Sequence, residues 1–314
     1  MPPIKPKIIF WGTPEFAVPV LQALIKNDFL PALVVTQPDK PVGRKQQLTP
    51  PPVKEFALAN NIAVLQPQKK KDFAAVFADN DYDLCILAAY GLIIPDEYLN
   101  KPKFGFLNIH PSLLPQYRGS APIQQAILNG DKVTGVSIIK LVQAVDAGPI
   151  FSQKEVPLLP TDNAQTLSLK LAQIGAELLV EILPDYLAGK ISPASQSENL
   201  ATYTEMIDRN DGRIDWQQTA EQIGRQFRAF YPWPGIFAQL DGKRLKIANL
   251  SVLGGDFASS LIPGEVFLGP NGQLAAKCSQ GAIGLLSLQL AGKKELSGSD
   301  FLRGQKDLVG QILK

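Results

Sequence analysis

The chain has 314 residues, 45% of them hydrophobic, with 31 basic side chains against 29 acidic ones and a single histidine. That length exceeds what one hydrophobic core usually serves, so two domains are expected, each able to bury a core without disulfides. No apolar run approaches the length of a membrane span, and a strand pattern begins by Ile8, which argues against a transmembrane segment or a leader and predicts a soluble cytoplasmic protein.

Charge is unevenly placed along the chain. Residues 1–208 hold 18 basic and 20 acidic side chains, whereas 209–314 hold 13 and 9, so the C-terminal part is near +4. Such an excess suits a polyanionic partner, and a solvated surface accounts for it equally well. The two cysteines, Cys85 and Cys278, lack the close spacing of a metal or redox pair and read as core thiols in a reducing compartment.

In chain order, Ile8-Ile-Phe-Trp11 reads as a strand broken at Gly12, and the apolar spacing of Phe16, Val20, Leu21 and Leu24 predicts a helix over 15–26. Further strands are expected at Leu33–Val35, Ala63–Leu65, Leu84–Ala88 and Phe104–Ile109, with helices at Val53–Ala59 and Phe73–Ala78 between them. Continuous apolar strands of this kind are buried on both faces. The expected fold is therefore α/β, a Rossmann-like, doubly wound, mostly parallel sheet flanked by helices. Strands over 133–141 and 149–156 and a long helix over 163–186 complete a first domain at 1–189. A polar, weakly patterned stretch, 190–208, reads as a linker. Over 209–314, one helix at 220–230 and short strands at 244–248, 264–268, 274–278 and 284–288 have the spacing of a small C-terminal β-barrel.

The chemistry concentrates between 108 and 149. In Asn108-Ile-His110 two polar side chains sit two positions apart at a strand end, so extended geometry sends both to one face. An amide beside an imidazole can stabilise an oxyanion and handle a proton. The same pair also fits a hydrogen-bonded structural histidine and a turn-capping asparagine. Ser112-Leu-Leu-Pro115 and Arg118-Gly119 supply a loop directly after the histidine, and Asp146 sits in a second loop from which it could orient the ring, or simply form an Asx turn.

Asn108, His110, Asp146 and the run Ser112-Leu-Leu-Pro-Gln-Tyr-Arg-Gly119 resemble the core of the 10-formyltetrahydrofolate-dependent formyltransferases. Within that family, Phe10-Trp-Gly-Thr-Pro-Glu-Phe16, Thr36-Gln-Pro-Asp-Lys-Pro-Val-Gly-Arg44, Ala89-Tyr-Gly-Leu92, Asp215-Trp216, Arg228-Ala-Phe-Tyr-Pro-Trp-Pro234 and Leu288-Gln-Leu-Ala-Gly-Lys-Lys294 are similar to the methionyl-tRNA branch over essentially the whole chain. The resemblance implies formyl transfer from 10-formyltetrahydrofolate to the α-amine of initiator methionyl-tRNA by a monomer that needs no metal. By the same resemblance, Asn108 and His110 stabilise the oxyanion and Asp146 holds His110. The folate cleft is expected at Tyr90, Gly91, Leu92 and Ser112, Leu113, Leu114, Pro115, although Leu92, Leu113 and Leu114 read equally well as core. The insertion at 39–52, with Lys40, Arg44 and Lys45, is implied to reach the tRNA acceptor end, and the C-terminal barrel to be OB-like. Trp216, Phe230 and Trp233 are expected to be core rather than stacking platforms. One departure stands out: the linker reads Thr204-Glu-Met206 where the family commonly carries a basic residue.

Other classes fit less well. A nicotinamide oxidoreductase would share the sheet, but the first turn, Gly12-Thr-Pro-Glu-Phe16, lacks the glycine fingerprint. A non-catalytic tRNA-binding protein has no use for the Asn108, His110 and Asp146 set, and a sugar-nucleotide N-formyltransferase has no use for the basic insertion.

Overall fold

The computed structural model describes residues 5–43, 46–78, 81–255, 257, 260–305 and 307–314. Its packing divides into two compact units. The first takes the chain up to Ile123 together with Lys132–Leu159 and Thr166–Glu205; the second takes Gln124–Asp131, Pro160–Gln165 and Met206–Lys314.

Elements of the first part run β1 (Ile8–Gly12), α1 (Ala17–Lys26), β2 (Leu33–Val35), β3 (Lys40–Val42), β4 (Gln47–Thr49), α2 (Pro52–Ala59), β5 (Val64–Leu65), α3 (Phe73–Val76), β6 (Leu84–Ala88) and α4 (Asp96–Leu99). They continue with β7 (Phe106–His110), β8 (Arg118–Gly119), α5 (Pro122–Asn129), β9 (Val133–Lys140), β10 (Ile150–Pro157), α6 (Ala164–Leu187) and β11 (Tyr203–Thr204). Seven strands form one sheet in the order β10-β9-β7-β6-β1-β2-β5. The five from β5 to β7 are parallel; at one side β9 runs antiparallel to β7, and β10 runs antiparallel to β9. β1, β6 and β7 are buried at every position, as central strands covered on both faces must be.

This order places the carboxyl ends of β1, β6 and β7 side by side. Doubly wound sheets bind ligands beyond that end, and here the strands deliver Thr13, Ala89 and His110 to it. Helix α6 packs directly beneath. A Cβ at Gly175 would lie 2.8 Å from the Ile109 side chain and 3.1 Å from that of Val136, so only glycine allows the helix this close to the strand carrying the histidine.

Two parts of the chain differ from the sequence pattern. The insertion expected over 39–52 contains an antiparallel hairpin, β3 paired with β4. Residues 190–205, polar enough to read as a linker, group with the first unit: Ala194 bridges Ile150, and β11 pairs in parallel with β8. Their order comes from long-range hydrogen bonds, which leave no apolar period to read.

The second unit adds α7 (Ala220–Ala229), β12 (Ile236–Leu240), β13 (Lys243–Leu253), β14 (Val266–Leu268), β15 (Leu274–Lys277), β16 (Ala282–Leu290), β17 (Leu296–Ser297) and α8 (Gly298–Gly304). Helix α7 opens on a capping box between Thr219 and Gln222. The sheet is antiparallel, in the order β12-β13-β16-β15-β14 with β17 on β16, and matches the OB-like expectation. Its open sides are joined by the last residues. Gly310 and Gln311 hydrogen-bond with Val266, and Lys314 exchanges two backbone hydrogen bonds with Gln239, at 2.6 and 3.0 Å. Trp216 and Phe230 are core, as expected, but Trp233 is 53% exposed. Both cysteines are free and buried. Among the described residues, no helix is long and apolar enough to cross a membrane.

Candidate active site

The alternation of β7 sends Asn108 and His110 to the same face, and both side chains are buried, at 6% and 4% exposure. Asp146 reaches them from the loop between β9 and β10. Its backbone is left-handed, φ 49°, a conformation that aspartate tolerates better than most residues. One carboxylate oxygen accepts the Asn108 amide N–H at 3.2 Å. The other lies 3.5 Å from His110 Nδ1 and accepts the Gly119 backbone N–H at 2.9 Å. The opposite ring nitrogen, Nε2, is 2.9 Å from the Tyr117 carbonyl. A carbonyl only accepts, so Nε2 carries a proton in this arrangement. The three residues singled out from sequence thus meet, with the carboxylate at their centre.

Tyr117 and Gly119 were not expected in this role. Both contribute main-chain atoms, which side-chain identity does not announce. Gly119 has φ 112°, and a Cβ there would sit 2.3 Å from the Thr204 carbonyl oxygen, so this position requires glycine for both conformation and space.

The loop after His110 is pinned to the antiparallel side of the sheet. Ser137 Oγ, on β9, donates to the Ser112 carbonyl at 2.6 Å and accepts the Leu114 N–H at 3.1 Å, while Gln153 of β10 donates to the Leu114 carbonyl at 2.9 Å. Ser112 is fully buried, and its own hydroxyl donates to the Gln116 carbonyl. Leu114 is also buried, whereas Leu113 and Pro115 are half-buried. For Ser112 and Leu114, then, the side chains serve packing and both main-chain N–H groups are already bonded, so what these two residues can still offer a ligand is the second lone pair of each carbonyl.

Across from this loop, the segment after β6 divides in the same way. The Tyr90 ring packs edge-on against Trp11, and burial pushes its phenol up to about 12, so it stays neutral and faces the core. Its carbonyl accepts from Thr13 Oγ1 and Gln37 Nε2. Gly91 (φ 83°) and Leu92 are exposed and free of that core, as is Ile93. This is a loop whose backbone and apolar side chains could lie against a flat heterocycle. Lys40 is exposed at the start of the hairpin and donates to Gln37. The other two basic residues singled out there, Arg44 and Lys45, lie outside the described residues. Beside the hairpin's base, Lys54 binds both Asp39 oxygens at 2.8 Å and Gln66, which holds the Asp39 carboxyl below its usual range. Among the described residues, no group of three or more His, Cys, Asp or Glu could hold a metal ion.

The arrangement can donate hydrogen bonds to a developing oxyanion and move a proton beside it, which is the equipment of acyl-type transfer. Comparison with known proteins narrows the class. Residues 6–183 match the model of the formyl transferase family, and residues 206–306 match that of the formyl transferase C-terminal domain. Methionyl-tRNA formyltransferase of Bacillus subtilis strain 168 is 44% identical over 98% of this chain and 97% of its own length. The enzyme of that name from Caldicellulosiruptor saccharolyticus is also 44% identical, over 98% and 99%. Among solved structures, a variant of HypX from Aquifex aeolicus superposes with a TM-score of 0.66 at 18% identity, covering 98% of this chain and 49% of that one. WlaRD, a sugar 3N-formyl transferase, gives 0.64 at 21%, covering 93% and 100%. At those identities the two structures bear on the fold alone.

Proposed function

Because this chain belongs to the methionyl-tRNA formyltransferases, which place a formyl group on methionyl-tRNA, we propose that Asn108, His110 and Asp146 carry out the transfer. The proposed donor is 10-formyltetrahydrofolate and the acceptor is initiator methionyl-tRNA. The methionine α-amine adds to the formyl carbon, the carbon–N10 bond breaks, and one proton passes from the attacking nitrogen to N10. In this scheme one Asn108 N–H stays with Asp146 and the second meets the oxyanion. His110 exchanges its Nε2 contact with Tyr117 for the reacting groups, gives the Nε2 proton to N10 and is reprotonated there from the attacking nitrogen. Asp146 holds the ring through Nδ1. The observation that carries this reading is the single carboxylate shared by Asn108, His110 and the Gly119 N–H.

The donor is proposed to lie between residues 90–92 and 112–115, read largely by main chain, and the tRNA acceptor end against the hairpin with Lys40, Arg44 and Lys45. The acting unit is taken as a monomer, working in the cytoplasm where charged tRNA is found. No step in this scheme uses a metal.

The test is direct. Purified protein should formylate initiator methionyl-tRNA from 10-formyltetrahydrofolate, and His110→Ala should lose roughly 100-fold to 10,000-fold in kcat while remaining folded. Transfer to an amino-sugar nucleotide alone, or near-normal activity of the variant, would sink the scheme.

A further inference from the structure

Residues 194–204 form more contacts with the two catalytic loops than a connector needs. Gln196 spends both hydrogens of its amide on the Asp146 loop, donating to the Asp146 carbonyl at 2.8 Å and to the Gly148 carbonyl at 2.7 Å. Its amide oxygen accepts Arg118 Nε at 3.0 Å. Arg118 is a buried charge, its side chain only 2% exposed, and it makes two further hydrogen bonds to Glu198 at 2.8 and 2.9 Å and one to the Tyr203 hydroxyl at 3.2 Å.

The main chain repeats the pattern. Arg118 N–H donates to the Thr202 carbonyl, Thr202 N–H to the Pro115 carbonyl, and Tyr117 N–H to Thr202 Oγ1 at 2.8 Å. Ala194 exchanges two hydrogen bonds with Ile150, both at 2.8 Å. One short segment therefore grips both the loop that supplies Tyr117 and Gly119 and the loop that supplies Asp146. Gly148 shows how closely this loop lies against the end of β9, since a Cβ there would lie 1.7 Å from the Lys140 carbonyl oxygen and only glycine fits.

A buried guanidinium with several partners across this segment is costly to desolvate and is weak support for stability as such. It does fix geometry, because a planar fork accepts only one arrangement of its acceptors. Asp146 needs that help: its left-handed backbone is not its preferred state, and its carboxylate must satisfy Asn108, His110 and Gly119 together.

We propose that residues 194–204 are a positioning strap for the active site, in which Gln196 and the Glu198–Arg118 pair set the Asp146 carboxylate against Asn108 and His110. The proposal rests on the role given to Asp146 above. Gln196 touches no reacting atom in this scheme and acts through Asp146.

The experiment is a double-mutant cycle on the full-length chain, with single-turnover formyl transfer to methionyl-tRNA as the readout. Gln196→Ala should lower the rate constant about 10-fold to 100-fold, the size expected when a reacting group is displaced by about 1 Å, with little change in KM for tRNA. In a chain already carrying Asp146→Asn, the same change should cost less than threefold. Additive losses would assign Gln196 a purely structural effect and overturn the strap, as would a rate for Gln196→Ala within twofold of the unmodified chain. Should Gln196→Ala fail to fold, Glu198→Ala removes the strap's exposed anchor and must show the same non-additivity. Near-normal transfer by Asp146→Asn would instead overturn the underlying role of Asp146, which separates the two failures.

Discussion

Each unit is tied off by a returning stretch of chain, and the two returns are built differently. In the first unit, residues 194–204 come back over the catalytic loops with a buried arginine, a glutamate and a glutamine whose amide is fully used. In the second, Gly310–Lys314 joins β14 to β12 through main-chain hydrogen bonds, with Leu308 and Leu313 each 1% exposed. Apolar burial is non-directional and closes a barrel without dictating where any one atom sits. Directional, charge-assisted hydrogen bonds fix atoms at the expense of desolvation. The polar return lies over the loops proposed to carry the chemistry, which is where a need for precision predicts it.

Three changes would break or sharpen that contrast. The largest effect is expected from Gly119→Ala. The added methyl would collide with the Thr204 carbonyl and displace the N–H that Asp146 accepts, so kcat should fall on the order of 100-fold with the fold retained. Steady-state kinetics beside circular dichroism would show this, and unchanged kcat would mean that the strap tolerates displacement. Next, Leu313→Ala should cost about 2–5 kcal/mol in the stability of the second unit and leave transfer kinetics of the folded chain intact. Calorimetry and kinetics at 25 °C test the split; a matching loss of kcat would erase the distinction between the two returns.

The smallest effect is one of pH. Hydrogen bonding to Arg118 holds the Glu198 carboxyl below its ordinary value. With the folded pKa depressed, the pairing contributes fully above the ordinary carboxylate range and is lost as pH falls through the folded value. Hydrogen exchange should therefore find the Arg118 amide, bonded to Thr202, protected at neutral and mildly acidic pH and released only once the pH has fallen below the ordinary carboxylate range. The Gln239 amide, bonded to Lys314, should remain protected through that release. Simultaneous loss at both positions would point to global unfolding instead.

The legibility of this chain follows the same line. Ile8–Trp11, Leu84–Ala88 and Phe106–Ile109 announce buried central strands because burial on both faces leaves only apolar residues. Asn108 and His110 stand out against that background because they interrupt it. The antiparallel turn of β9 and β10 was not legible, since the apolar content of a strand carries no direction. The strap is hard to read from sequence for a deeper reason. Gln196 and Glu198 look like solvated linker residues, and their partners at Arg118 and Asp146 lie 50 or more positions away in sequence. Main-chain donors such as Gly119 leave no side-chain signature beyond the glycine itself. Trp233 inverted the expectation that tryptophans are core, since it lies beside Pro232 and Pro234 on the surface while Trp216, not far before it, is buried.

That unequal burial has an optical consequence. Trp11 is fully enclosed in the first unit, stacked on Phe73 with Tyr90 at its edge, Trp216 is enclosed in the second unit, and Trp233 already faces water. These are the only three indoles in the chain. Replacing Trp216 and Trp233 by phenylalanine leaves an emission that reports only whether the sheet beneath the catalytic loops is closed. Replacing Trp11 and Trp233 leaves one that reports only on the barrel, so the two units can be watched opening separately without any attached dye.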